Sequence, residues 1–415
     1  MSEAPQGTTP SGWDRGYELK AVPLLALGFG LVGLDRFIIA PLFPVIAEDL
    51  GLGYQDLGLI SGALAFTWGL AALFLGNLSD RVGYRRVLVS TVVIFSVLVA
   101  TTGLATGLVS LLLIRALMGF AEGGFVPASI VATIDASKPT RTGLTVGLQQ
   151  MAAPLVGLGL GPLIAIGLLR VLPGWEWVFA VVALPGFLVA WLMARTIRPR
   201  SGVVGETRLK PPSYSEALRY RNVVFATLGM LCFLSSLHTL AALGPNYLTD
   251  HVGLALDEMG LVLSGMGMGG VLGMIVIPAL SDRLGRTPVM AVCMAVATLA
   301  LAGVIYLDVG ALPLTLLLAI DSAMISGAVA INIGPLLNES VSPRVAATAT
   351  GIVVGLGEIF GGAVAPAVAG AIADAQGIDA VPYVSLVTAA LGVVVVVFGL
   401  KEPSAGEREG ARLAR

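Results

Sequence analysis

GNLSDRVGYRRV, residues Gly76 to Val87, returns later in the chain as PALSDRLGRTPV, Pro278 to Val289, with Asp80 and Asp282 separated by 202 positions. A second echo pairs Pro139, Gly147 and Pro162 with Pro343, Gly351 and Pro366, each 204 apart. Two copies of one ancestral unit account for both offsets. Within each copy the SDR-x-G run follows a long apolar segment and precedes another. Its Asp can face a helix end, its Arg can pair across to a neighbour, and its Gly permits a tight turn. Such a cluster can hold one face of a helical assembly shut and release it. The alternative is that the basic residues merely anchor the chain at a membrane surface.

Outward from these loops the sequence is overwhelmingly apolar. Of 415 residues, 56% are hydrophobic and 12% charged, and mean hydropathy is +0.91, so most of the surface faces lipid. Windows of about 19 residues give spans near 21–45, 55–75, 85–105, 108–131, 142–170 and 174–195. A second set follows near 222–247, 258–279, 288–306, 312–334, 346–373 and 380–400. The fold expected is an all-α membrane protein with twelve transmembrane helices in two pseudo-symmetric six-helix bundles. Its parts are a tail over 1–20, bundles over 21–195 and 222–400, a polar linker over 196–221 carrying Pro211 and Pro212, and a tail over 401–415. All 24 Lys and Arg except Arg36, Arg115 and Arg170 then fall on one side, which places both termini in the cytosol of a cell whose inner membrane holds the protein. Gly is abundant, 53 residues, as close helix packing in lipid requires. Cys232 and Cys293 lie inside apolar spans without ligand-like neighbours, so no disulfide framework or metal site is expected. The net charge of -2 gives no sign of nucleic-acid binding.

Ionisable residues inside the spans cost roughly 2.5 to 3.5 kcal/mol each, so each needs a partner or a task. The first span carries Asp35 and Arg36, which are adjacent and point different ways. The fourth carries Arg115 and Glu122, two turns apart and therefore on one face. The seventh carries His238, 203 residues after Asp35; the tenth carries Asp321, which shares a face with Asn332; the eleventh carries Glu358. On the fifth span either Gln149 or Gln150 can turn inward, and Gln150 is taken as the cavity residue. Two acids and two arginines in one half form either a structural ion-pair network or a site where an incoming anion competes for the arginines and leaves a carboxylate to take a proton. His238 serves as a packing residue or as a substrate or proton group. Trp68 is a packing aromatic or a cavity wall.

The loop residues Gly76, Asp80, Arg81, Gly83 and Arg85 resemble the loop signature of the major facilitator superfamily, over essentially the whole chain. The local sequences LDRFIIAPLFPVIAEDLGL from Leu34 and RALMGFAEGGFVPAS from Arg115 resemble the anion:cation symporters within it, which move organic anions such as sugar acids and aromatic carboxylates together with protons. This resemblance implies that Asp35 and Glu122 are protonation sites and that Arg36 and Arg115 bind a carboxylate. The further acids Glu358 and Asp321 depart from the family's pattern. His238, Gln150, Asp321, Asn332 and Glu358 complete the expected substrate site, and Gly76, Asp80, Arg81, Gly83, Arg85, Asp282, Arg283 and Arg286 the cytosolic gate.

The expected function is proton-coupled uptake of a small organic anion by alternating access, in a monomer embedded in the bilayer, with protons as coupling ion and no other cofactor. The alternative is proton-driven efflux of a drug-like or cationic compound, which Arg36 and Arg115 disfavour. An intramembrane enzyme is not expected, because no nucleophile-base or metal constellation stands out.

Overall fold

The computed structural model describes residues 13–199, 214–307 and 309–403, except for the side chains of residues 72–81, 140, 343, 344 and 347. Residues 1–12, 200–213 and 404–415 of the expected tails and linker lie outside the described residues, as do the side chains of the expected gate residues Gly76, Asp80 and Arg81. Among the described residues all regular structure is helical.

The first half comprises α1 (Arg15–Leu50), α2 (Tyr54–Val82), α3 (Tyr84–Thr102), α4 (Leu108–Ala136), α5 (Thr142–Val171) and α6 (Trp175–Thr196). The second comprises α7 (Arg221–His251), α8 (Leu256–Leu284), α9 (Arg286–Tyr306), α10 (Ala311–Ser340), α11 (Thr348–Gln376) and α12 (Ile378–Gly399). Each coincides with a hydropathy span. Several run further than hydropathy predicts, notably the start of α1 and the ends of α2, α4, α8 and α10. All these extensions lie on the face that carries the linker. Polar turns there still close backbone hydrogen bonds beyond the hydrocarbon, so the helix continues after its apolar pattern stops.

Tethers at that face hold the ends of each half together. Asp14 caps α1 by accepting from the Tyr17 amide at 3.1 Å and takes the Arg198 guanidinium, past the end of α6, at 2.7 Å. The Arg198 bond holds the Asp14 carboxyl below its usual range. Arg221, at the start of α7, donates to the Gly399 and Phe398 carbonyls of α12, each at 2.9 Å. Between α2 and α3 the chain reverses through Gly83 at φ 90, and between α8 and α9 through Gly285 at φ 98. Positive φ at both positions, 202 apart, is why the repeated loop keeps its glycine.

Prolines break the helices where the charged residues lie. Pro41 has no N–H for the Phe37 carbonyl, and α1 changes over at Ile38 between Arg15–Phe37 and Ile39–Leu50. Pro127 likewise cannot serve Gly123, and α4 is interrupted at Gly124. Wider π turns occur at Leu155–Leu160 in α5, ahead of Pro162, and at Glu358–Val364 in α11, ahead of Pro366. These two turns begin 203 residues apart.

The halves meet along two seams of small residues, α2 against α11 and α5 against α8. A Cβ on Gly58 would strike the Pro366 carbonyl oxygen, one on Gly62 would come 2.9 Å from that of Ala363, and one on Gly267 would strike the Leu158 backbone. These contacts run from mid-helix to the face opposite the linker.

Candidate functional site

Arg36 and Glu358 meet between the halves. The Arg36 Nη2 donates to Glu358 Oε2 at 2.6 Å, joining α1 to α11, with both side chains only partly exposed at 15% and 12%. The Arg36 guanidinium carbon lies 5.5 Å from the ring centroids of both Phe37 and Trp68, so aromatic faces flank the charge. His238 of α7 packs on Phe37 with ring centroids 6.2 Å apart, and its Nδ1 and the Glu358 carboxylate both border Gly362. Arg36, Phe37, Ser61, Ala65, His238 and Gly362 line a cavity of about 30 Å³, room for a water or two. The glycine lets this carboxylate and imidazole approach one another. Glu358 is the first residue of the α11 π turn, so the backbone irregularity and the cross-half ion pair coincide.

Asp35, Arg115 and Glu122 form a different environment. They are 3%, 1% and 0% exposed, packed inside the first half, and none lines the Arg36 cavity. The expectation that two arginines and two acids share one chamber is corrected here: Asp35 and Arg36 project to different sides of α1, and only Arg36 reaches the space between the halves. Arg115 Nη1 donates to the main-chain carbonyl of Asp35 at 2.7 Å, and its guanidinium lies 6.0 Å from the Phe179 ring centroid in α6. Its Nε and Nη2, and both oxygens of Glu122, are buried without a hydrogen-bond partner among the described residues. Arg115 therefore grips the peptide group that leads directly into Arg36. Two carboxyls stand against one guanidinium, and a single bound proton makes the group neutral.

The remaining expected substrate residues also lie off the Arg36 cavity. Asp321 is wholly buried with neither carboxyl oxygen hydrogen-bonded among the described residues. It follows by one turn Leu317, which packs on Gly303 of α9, whereas Ala319 and Ala323 face glycines of α8. This orientation turns Asp321 toward α9. Asn332 donates to the Ala226 carbonyl of α7 at 2.9 Å, inside the second half. On α5, Gln149 reaches Ser129 of α4 at 3.2 Å, and Gln150 is half-buried with its Oε1 enclosed.

At the linker face, the described gate residues make contacts within their own halves. Arg85 donates to the Ala194 carbonyl of α6. Arg286 pairs with Asp282 at 2.5 Å and with Glu339 at 2.7 Å, and its amide donates to Glu402 at 2.9 Å. Arg283 is exposed.

The opposite face carries a cross-half seal that sequence reasoning did not single out. Asp374, at the end of α11, accepts from the amides of Tyr54 and Gln55 at 2.9 and 3.1 Å, capping α2 from the other half. The Tyr54 hydroxyl donates to Asp250 of α7 at 2.9 Å, and Arg170 pairs with Asp257. The only signal available for these acids was their concentration in loops on one side. Spacing along a chain does not reveal which helix end another half brings opposite them.

Known proteins share this architecture. The crystal structure of a bacterial homolog to the human lysosomal transporter Spinster, in an inward-facing and unoccupied conformation, superposes with TM-score 0.75 at 19% identity, covering 96% of this chain and 98% of that one. A hexuronate transporter of Bacillus subtilis (strain 168) is 25% identical over 238 residues, 55% of this chain and 56% of that protein, so the chain spans about half the length of this relative. A quinolone resistance transporter of Acinetobacter baumannii is 23% identical over 292 residues, 64% of this chain and 67% of that protein. The sequence model of the Major Facilitator Superfamily matches residues 25–359, from within α1 into the π turn of α11. A match reaching through both repeats, on helices arranged in two packed halves, makes this chain a membrane transporter belonging to the Major Facilitator Superfamily.

Proposed function

We propose that the protein moves a small organic anion together with protons by alternating access, with Arg36 as the group that receives the anion's carboxylate. The observation that carries this reading is the Arg36–Glu358 pair across the halves, at the cavity wall and beside His238. In this closed arrangement Glu358 occupies the guanidinium that an incoming carboxylate needs. When the halves part, the anion takes Arg36, and the released Glu358, left without its counter-charge between the halves, is neutralised by a proton. Asp35 and Glu122 form a second proton locus off the cavity, linked to Arg36 through the carbonyl that Arg115 holds. The Asp80 and Asp282 loops would then close the linker face when the seal at Asp374 opens. The basic linker face is assigned to the cytosol of the inner membrane, and the transporting unit to a monomer.

A hexuronate is a carboxylate, and the transporter of that name among the relatives favours this substrate class. The relative named for quinolone resistance supports the rival reading, drug efflux. A fixed guanidinium at the cavity wall disfavours a purely cationic drug there, because like charges repel strongly at low dielectric.

The test is anion binding by purified protein as a function of pH, measured by thermal shift or calorimetry on a panel of sugar acids and aromatic acids. Arg36→Ala abolishes detectable binding. Glu358→Gln removes the resident competitor, tightens binding roughly ten-fold and flattens its pH dependence, whereas the native protein binds better as pH falls. Unchanged affinity in Arg36→Ala rules out carboxylate recognition at this site.

A further inference from the structure

On the lipid-facing surface, at the linker-face ends of α3 and α6, lies a groove of about 730 Å³, far larger than the cavity at Arg36. Arg85, Arg86, Val89, Ser90, Ala194 and Pro199 line it. Arg85 lines the groove and is fixed in its wall by the bond to the Ala194 carbonyl. Arg86 is exposed and has no ion-pair partner among the described residues. Arg195 follows Ala194 and lies 4.8 Å from the ring centroid of Trp191, adding a third positive charge beside a residue suited to the membrane interface. Toward the membrane interior the basic end gives way to apolar side chains exposed to lipid: Val93, Ile94 and Val97 on α3, and Leu184 and Leu188 on α6.

We propose that this groove binds an anionic glycerophospholipid, its phosphate held by Arg85 and Arg86 and an acyl chain lying along the exposed strip between α3 and α6. Three features favour a lipid over a soluble anion. The groove is lined by residues of the first half alone, away from the seams between the halves. Its lining mixes guanidinium and hydroxyl groups with valine, alanine and proline. Its apolar continuation runs along the helices in the direction that a chain would take. The same loop joins α2 to α3, and α2 forms a seam with the other half, so an occupied groove bears on the element that must move.

The experiment is native mass spectrometry of the full-length protein in detergent, titrated with palmitoyl-oleoyl phosphatidylglycerol, with phosphatidylcholine of the same chains, or with inorganic phosphate. The expected result is retained phosphatidylglycerol adducts in preference to phosphatidylcholine. The double variant R85Q/R86Q weakens phosphatidylglycerol binding roughly ten- to thirty-fold and leaves phosphatidylcholine binding unchanged. Because R85Q also loses the bond to Ala194, the single variants R86Q and V89W provide a second arm: the first removes a charge that has no ion-pair partner among the described residues, and the second fills the groove with both arginines kept. Each lowers phosphatidylglycerol binding while the melting temperature stays near that of the native protein. Equal binding of the two lipids, or adducts indifferent to R86Q and V89W, overturns the proposal. Inorganic phosphate at millimolar concentration displacing the lipid completely, and binding as well on its own, assigns the site to a free oxyanion and also overturns it.

Discussion

Arg36 and Asp35 are neighbours in sequence with separate tasks in the fold. Helical geometry already required them to diverge, and the sequence made that much legible. What spacing along α1 could not provide was the identity of the partners: Glu358 lies 322 residues away, and its approach depends on how α11 packs against α2. Arg115 shows the same boundary of inference. Its place on one face of α4 with Glu122 was readable, but not that its guanidinium would lie buried against the Asp35 carbonyl, off the Arg36 cavity. Removing one partner of a buried charge cluster leaves the others uncompensated, at a cost of about 3–5 kcal/mol. Arg115→Gln is therefore expected to lower thermal stability strongly in detergent, and Arg36→Gln less, because Glu358 beside the cavity can take a proton once its partner is gone. For Glu122→Gln the expectation concerns coupling: anion exchange across proteoliposomes persists, while accumulation driven by an imposed pH gradient is lost. Full accumulation in this variant removes Glu122 from the proton pathway.

Among elements, the helix spans were readable because each is long and apolar, and the proline positions were readable as punctuation. The π turns were not, since a missing N–H can be absorbed by a kink, a bulge or an added residue, and packing selects among them. At Glu358–Val364 the widened turn accompanies the close approach of Gly362 to the α2 side chain of Ala65. The start of α2 offers the sharpest test at this scale. Asp374 reaches its first-turn amides from the opposite half, so the cap exists only while the halves are joined there. A lost cap is worth about 1 kcal/mol, which makes Asp374→Ala shift the equilibrium about five-fold toward the conformer open on that face. Spin labels on the ends of α2 and α11 report the change as a longer distance population. An unaltered distribution means that the small-residue seams alone keep the face closed.

For the molecule as a whole, the duplicated SDR-x-G loop exposed the architecture because duplication places equal constraints on both copies, down to a positive φ at Gly83 and Gly285. Function was less accessible, since the cavity is assembled by contact between the copies, and no single half contains it. The charge asymmetry predicts orientation. In intact cells a membrane-impermeant maleimide is expected to label Asp257→Cys, at the start of α8, and to spare Lys401→Cys, beyond α12, until the membrane is permeabilised. The reverse pattern inverts the assignment. One consequence belongs to the seal at Tyr54, Asp250 and Asp374. Its parting frees two amide hydrogens, a phenol and the Asp374 carboxylate at an exposed rim, while Asp250 keeps its bonds from Asn246 and Thr249. Water at this exposed rim can take up each freed group at once, so parting of the polar seal carries little desolvation penalty. The polar rim therefore acts as a modest latch, and the effort of opening that side falls mainly on unzipping the buried glycine-lined seams.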